Sequence, residues 1–390
     1  MNNQNLSLKR ALLSLRKTSF VFATSALALS LLWSQSCYGQ AASAGTVTKS
    51  VRWHPGNYIL VWAHTTPNEI SATLSDNQKF RGVQKPYYWS DLEKADGYHF
   101  EEIGADLQTL RRANKHLVIQ LQYKAFGTTA DGKPKSCCPA NLRGSARAGA
   151  NNSNSGTYSG TYVTKTGSLD PAIWDPAVTA RLRYLYKALG QYLNANANVQ
   201  ALEAVCLSET AVSQDPDSPA MANVMPYNAD AYASNLSYGF RELSNDLPHT
   251  VVIQYTNFGV GMDVVPRVVQ LEKTYGIGLG GPDLDPYGHQ GIQAPRGVYQ
   301  QYMDLAGDQY HPNPIPFGTA VQPEDVGNPP EQTYRFGKNT LHLNYIFWLN
   351  KAGYIGQVNR MLSDPSIVSQ KDVAGGLDSR YPSSASPYLN

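Results

Sequence analysis

Eight strand-like apolar runs lie along this chain, each followed by a helical segment except where loops intrude, and that alternation predicts an α/β fold closed as a (β/α)8 TIM barrel. Two further observations support closure over an open, doubly wound sheet. The first run is followed by Trp62-Ala63-His64-Thr65-Thr66, which holds no glycine fingerprint for a dinucleotide. The about 345 residues that remain after a leader also fit one large barrel, an architecture that routinely holds 250 or more.

The elements follow in order. Residues 58–63 (YILVWA) form the first strand and 82–89 (GVQKPYYW) the second. A helix is predicted over 101–114, with Ile103, Leu107 and Leu110 at helical spacing. Residues 116–122 (HLVIQLQ) alternate in strand fashion, with their polar members on one side. The next segment, 123–174, is too long for a simple connection, and its stretch 143–160 is rich in Gly, Ser, Asn and Thr, which is loop composition. Asp175-Pro176 caps a helix over 175–198. Residues 201–210 (ALEAVCLSET) are the fourth strand. Then come a helix at 229–247, a strand at 250–255, a helix at 261–275 and a short glycine-rich strand at 276–281 (GIGLGG). The last run is a helix at 297–310, a strand at 315–322, a helix at 330–339, a strand at 343–349 and a helix at 353–362. A phosphate cradle in 276–281 is the weaker reading, because no helix follows it at once.

Before the barrel, residues 1–44 read as an export leader. Lys9, Arg10, Arg16 and Lys17 precede an apolar run over 20–33, and Ala41-Ala42-Ser43-Ala44 offers small residues for cleavage. The run is shorter than the roughly 20 residues of a membrane span, so the expectation is a single barrel domain over 45–390, secreted or periplasmic. A net charge of +2 argues against a nucleic-acid partner. Tyrosine outnumbers phenylalanine by 25 to 10, which suits surfaces that stack on or bond to polar ligands. Among the cysteines, Cys206 reads as a buried thiol, and Cys137-Cys138 are adjacent, too close for ordinary bridge geometry but able to form a strained vicinal disulfide in an oxidising compartment. The histidines are isolated, with no ligand spacing, so no metal and no cofactor is expected.

In such barrels chemistry sits at the C-terminal ends of the strands. The polar and aromatic residues predicted there include His64, Trp89, Gln122, Ser208, Glu209, Tyr255, Asn257, Asp283, Asp285, Gln322, Glu324 and Trp348. A carboxylate ending a buried strand, as Glu209 does, is costly to place without a purpose. Two carboxylates beside aromatic faces are what glycoside hydrolysis needs: one protonates the leaving oxygen, and the other attacks the anomeric carbon or activates water.

The stretch 82–121 carries a resemblance. Trp89, Glu93, Gly97, Tyr98, Phe100 and Ile103, followed by KHLVIQLQ, resemble the second and third units of clan A (β/α)8 glycoside hydrolases. The resemblance implies a general acid/base at the end of strand four, which is Glu209 here, and a nucleophile at the end of strand seven, for which Glu324 is the nearest carboxylate. It also implies that Trp348 floors a sugar subsite. Two positions depart from the clan's pattern: Ser208 stands where Asn precedes the acid/base, and Gln322 stands at the end of strand seven. Alternation places Gln322 and Glu324 on the same side as Gly318 and Ala320. The expectation is a glycosidase acting on a poly- or oligosaccharide, retaining if Glu324 is the nucleophile. Asp283 or Asp285 is the alternative second carboxylate, and a non-catalytic carbohydrate-binding barrel is the alternative function.

Overall fold

A computed structural model describes residues 48–142, 158–257, 264–287, 296–322, 325–369 and 372–389. The leader at 1–44, residues 143–157 of the long loop, His289 and Glu324 lie outside the described residues. Eight parallel strands form a closed barrel: β1 (Gly56–Leu60), β2 (Gly82–Tyr88), β3 (His116–Gln122), β4 (Leu202–Leu207), β5 (Val251–Tyr255), β6 (Gly278–Gly281), β7 (Phe317–Val321) and β8 (Tyr345–Leu349). Each strand pairs with the next, and β8 returns to β1 with Tyr345 opposite Gly56 and Leu349 opposite Leu60. The (β/α)8 architecture predicted from the alternation is therefore the fold.

The helices are α1 (Pro67–Asp76), α2 (Glu101–Arg112), α3 (Pro176–Ala195), α4 (Ala229–Asp246), α5 (Val264–Tyr275), α6 (Arg296–Leu305), α7 (Pro330–Asn339) and α8 (Tyr354–Ser363). Sequence periodicity missed α1. Its signal is the capping box Thr66-Pro67-Asn68-Glu69, in which the Glu69 carboxylate accepts the Thr66 backbone N–H at 2.7 Å and Thr66 caps in return. The long excursion after β3 is not structureless, since Thr161–Val163 pairs antiparallel with Leu169–Pro171. Cys137 and Cys138 are both buried there, with Cys138 Sγ donating to the Tyr123 carbonyl at 3.3 Å. Among the described residues no helix is long and apolar enough to cross a membrane.

Two apolar cores follow from strand alternation. One lies between barrel and helices; the other fills the barrel with Tyr58, Leu60, Val118, Ala204, Cys206, Ile253, Tyr255, Ala320, Tyr345 and Phe347. Rings of that size need small residues opposite them. A Cβ at Gly280 would lie 2.5 Å from Ile253 Cγ2 and 2.8 Å from Tyr255 Cδ1. Gly278 and Gly280 thus make room for interior side chains. Burial pushes the Cys206 thiol far up, as expected of an inert group.

The floor of the barrel holds a buried carboxylate. Between β3 and β4 the register slips, Leu117 facing Leu202 and Val118 facing Ala204, so Glu203 is the extra residue of a bulge. Glu203 is fully buried. It accepts the His54 backbone N–H at 2.7 Å, His54 Nδ1 at 2.8 Å and the Tyr345 hydroxyl at 2.6 Å. Burial pushes this carboxyl upward, but the bonds from His54, the neighbouring His116 and Tyr345 outweigh it and hold the group below its usual range.

Two predictions follow. Gly280→Ala overpacks the interior against Ile253 and Tyr255, and a loss of about 1–3 kcal/mol is expected in denaturant unfolding. His116 is pushed down to about 4, first by burial and then by the His54 ring stacked on it at 3.8 Å. The unfolded chain therefore binds a proton below about 6.5 that the folded chain refuses until about 4, and this group's contribution to stability falls as pH drops through that window. Unfolding measured from pH 7 to 4.5 in His116→Gln should show a shallower acid loss than the parent, by roughly 2–3 kcal/mol.

Candidate active site

The fourth strand ends at Leu207, three residues before the apolar run does, because the next four residues are pinned individually. Ser208 Oγ donates to the Leu121 carbonyl at 3.0 Å, and its own carbonyl accepts Gln254 Nε2 at 2.6 Å. The Thr210 N–H donates to the Tyr255 carbonyl at 2.9 Å, and its hydroxyl donates to the Asn257 carbonyl at 2.7 Å. The Tyr232 hydroxyl donates to the Thr210 carbonyl at 2.6 Å. The Ala211 N–H donates to Asn257 Oδ1 at 3.0 Å, while the Ala211 carbonyl accepts Lys124 Nζ. Glu209 is carried on this fixed segment, half-buried, with Asn257 Nδ2 donating to Oε2 at 2.9 Å. Asn257 therefore braces the Glu209 side chain and its backbone at once.

Other predicted residues fall into three groups. Gln122 and Ser208 come together, Ser208 Oγ donating to Gln122 Oε1 at 3.1 Å, but Ser208 is fully buried and ties β3 to β4, so it is not a substrate contact. Tyr255 is likewise corrected: its ring fills the barrel and its hydroxyl accepts Gln84 Nε2 at 2.7 Å. Asp285 is buried as a loop anchor, its Oδ1 accepting the Tyr287 N–H at 2.8 Å and Asn328 Nδ2 at 3.1 Å. Asp283 and Gln322 stay half-buried after β6 and β7. His64 is exposed after β1, its ring centroid 5.4 Å from that of Tyr88 in an edge-on arrangement and its Nε2 3.7 Å from Asp91.

The two tryptophans face the wrong layer. Trp348 is 0% exposed in the core between barrel and helices, with Nε1 donating to Asn57 Oδ1 at 2.8 Å, so it cannot floor a subsite. Trp89 is 1% exposed in the same core and donates through Nε1 to Glu93 at 2.6 Å, while Arg181 holds the other Glu93 oxygen at 2.7 Å. The exposed aromatics are instead Trp62 (57%), Phe126 (53%) and Tyr287 (58%), on the loops after β1, β3 and β6.

Sequence reading missed two groups beside Glu209. Lys124 is buried two residues past β3, and Asp170 is buried on the Leu169–Pro171 strand with Oδ1 accepting the Ala125 N–H at 3.0 Å. The alternation Gln120, Gln122, Lys124 was the available signal for the lysine.

The barrel resembles those of solved glycoside hydrolases. A structure titled only as a glycoside hydrolase aligns at TM-score 0.45 and 13% identity, covering 77% of this chain and 88% of that one. A β-mannanase from the blue mussel Mytilus edulis aligns at 0.47 and 12%, covering 83% and 98%. The catalytic domain of a β-amylase from Paenibacillus polymyxa aligns at 0.47 and 10%, covering 84% and 96%. No family model and no curated protein sequence matches. At these identities the likeness is one of fold.

Among the described residues, His54, His116 and Glu203 are the group close enough to share an ion, at the opposite end of the barrel. Their imidazoles are stacked 17° from parallel, and His54 Nδ1 is already engaged by Glu203.

The placement of Trp348 is testable. Trp348→Phe leaves the Asn57 amide oxygen unsatisfied, and a loss of about 1–3 kcal/mol is expected in thermal or denaturant unfolding. Glycan affinity should be unchanged; weakened binding at full folding would return Trp348 to the binding cleft.

Proposed function

We propose that this protein is a glycoside hydrolase acting on a poly- or oligosaccharide, with Glu209 as its general acid/base. The observation that carries the reading is Glu209 itself: a half-buried carboxylate on a segment braced residue by residue at the C-terminal mouth of a (β/α)8 barrel. Catalysis needs groups held in place before substrate arrives, and the bonds to residues 208–211 supply that. Trp62, Phe126 and Tyr287 offer ring faces on three loops of the same rim, suited to stacking on sugars.

The second carboxylate comes, in this reading, from the loops after β6 and β7. Glu324 is our first assignment, as nucleophile of a retaining mechanism, and Asp283 is the alternative. The leader residues support action outside the cytoplasm, secreted or periplasmic. A second reading, a carbohydrate-binding barrel without catalysis, is favoured by Gln322, an amide two residues past Ala320 of the barrel interior, where the resemblance calls for a carboxylate.

Reducing ends released from a panel of β- and α-linked glycans, measured with binding, decide between the two. Glu209→Gln should lower kcat by about 10²–10⁴-fold with binding retained. Loss of activity in Glu324→Gln, with Asp283→Asn active, would fix the nucleophile. Binding with no cleavage by the parent protein supports the second reading.

A further inference from the structure

We propose that Lys124, anchored by Asp170, is the positioning cation of this site: it holds the Glu209 segment through the Ala211 carbonyl and sets the pH range over which Glu209 changes protonation. The geometry is specific. Lys124 leaves β3 on the same alternation as Gln120 and Gln122, and is almost wholly buried. Its Nζ donates to the Ala211 carbonyl, two residues beyond Glu209. Asp170 reaches the cluster from the hairpin strand Leu169–Pro171, bonding Ala125 next to Lys124.

A buried ammonium is costly unless anions face it. Burial pulls Lys124 below the usual lysine range, while Asp170 first and Glu209 second pull it back up. Asp170 is raised to about 6, chiefly by burial, with Lys124 opposing that rise and Glu209 adding to it. Lys124 thus lies within electrostatic reach of two carboxylates, bonded to the chain two residues past one of them and adjacent in sequence to the residue that bonds the other. Among the described residues, the other titratable groups coupled to them are Cys138, Tyr123, Tyr162 and Tyr255, and burial holds all three tyrosines neutral; the second carboxylate of the proposed function, Glu324 or Asp283, would add a negative charge that is the same in every variant compared.

Two opposite effects follow. Removing the Lys124 charge leaves Glu209 beside Asp170 alone, so the Glu209 carboxyl should become harder to ionise. Removing the Asp170 charge frees Lys124 for Glu209, which should then ionise more easily. A strut that only supports the backbone would not produce shifts of opposite sign.

The experiment is a carboxyl ¹³C NMR titration of the mature protein labelled at glutamate, with the Glu209 signal assigned by its loss in Glu209→Gln. In Lys124→Met the Glu209 midpoint should rise by roughly one pH unit or more, in Lys124→Arg it should stay near the parent value, and in Asp170→Asn it should fall. If Lys124→Met does not fold, Asp170→Asn still gives a sign, and a midpoint that does not fall there would overturn the proposal. A Glu209 midpoint that stays within about 0.3 pH units of the parent in every folded variant would overturn the proposal. The role in rate rests on reading Glu209 as acid/base, but the titration does not: a protein that cleaves no glycan yet shows the opposite shifts refutes that reading and keeps this inference.

Discussion

Glycine on β6 is the constraint on which the upper half of the barrel depends. Interior rings from β1, β5 and β8 can occupy the same barrel only if β6 and β7 contribute almost nothing there, which Gly278, Gly280 and Gly318 achieve. Gly280 admits the Tyr255 ring, and Tyr255 then bonds Gln84 across the interior. The chain emerges from Tyr255 to Thr256 and Asn257, and Asn257 braces Glu209 on the neighbouring strand. A packing choice at one backbone position is thus connected, bond by bond, to the placement of the carboxylate on which chemistry would depend.

Much of the fold was legible because a buried parallel strand is written as an apolar run bounded by turn residues, and eight such runs survive without knowledge of any tertiary contact. Strand ends were less legible. The run ALEAVCLSET reads as one strand through Thr210, but strand pairing stops at Leu207, where side chains of Gln254 and Asn257 take over the backbone groups. Those bonds come from residues some fifty positions away, and no local pattern encodes them. Helix α1 was missed for a different reason, since its cap was plain while its apolar stripe is short, with Ile70 and Leu74 as its buried residues.

The site was legible only in part, and tryptophan shows why. A large aromatic near a strand end suits either face of the barrel, and the choice rests on one step of alternation. Trp348 falls between Phe347 and Leu349, both interior, and so points outward to the helices; the same parity places Trp62, two beyond Leu60, toward the mouth. Counting parity from the interior residues would have exchanged the two. Asp170 was beyond reach, because it lies on a hairpin within a segment whose composition signals only loop.

The β4 segment carries carboxylates at both ends, and their contrast explains which can do chemistry. Glu203 is fully buried, and both its oxygens already accept hydrogen bonds from His54 and Tyr345 at the closed floor. Three hydrogen bonds hold this carboxylate in its charged form, and its full burial leaves it no exposed face. Glu209 shares the strand but stands past its end, half-buried at the open face, where Asn257 orients one oxygen and Lys124 and Asp170 supply charges of opposite sign. Burial alone therefore does not distinguish a functional carboxylate from a structural one. What separates the two is place: Glu203 lies at the floor of the barrel with His54 and Tyr345, and Glu209 lies past the strand end at the mouth, six residues away.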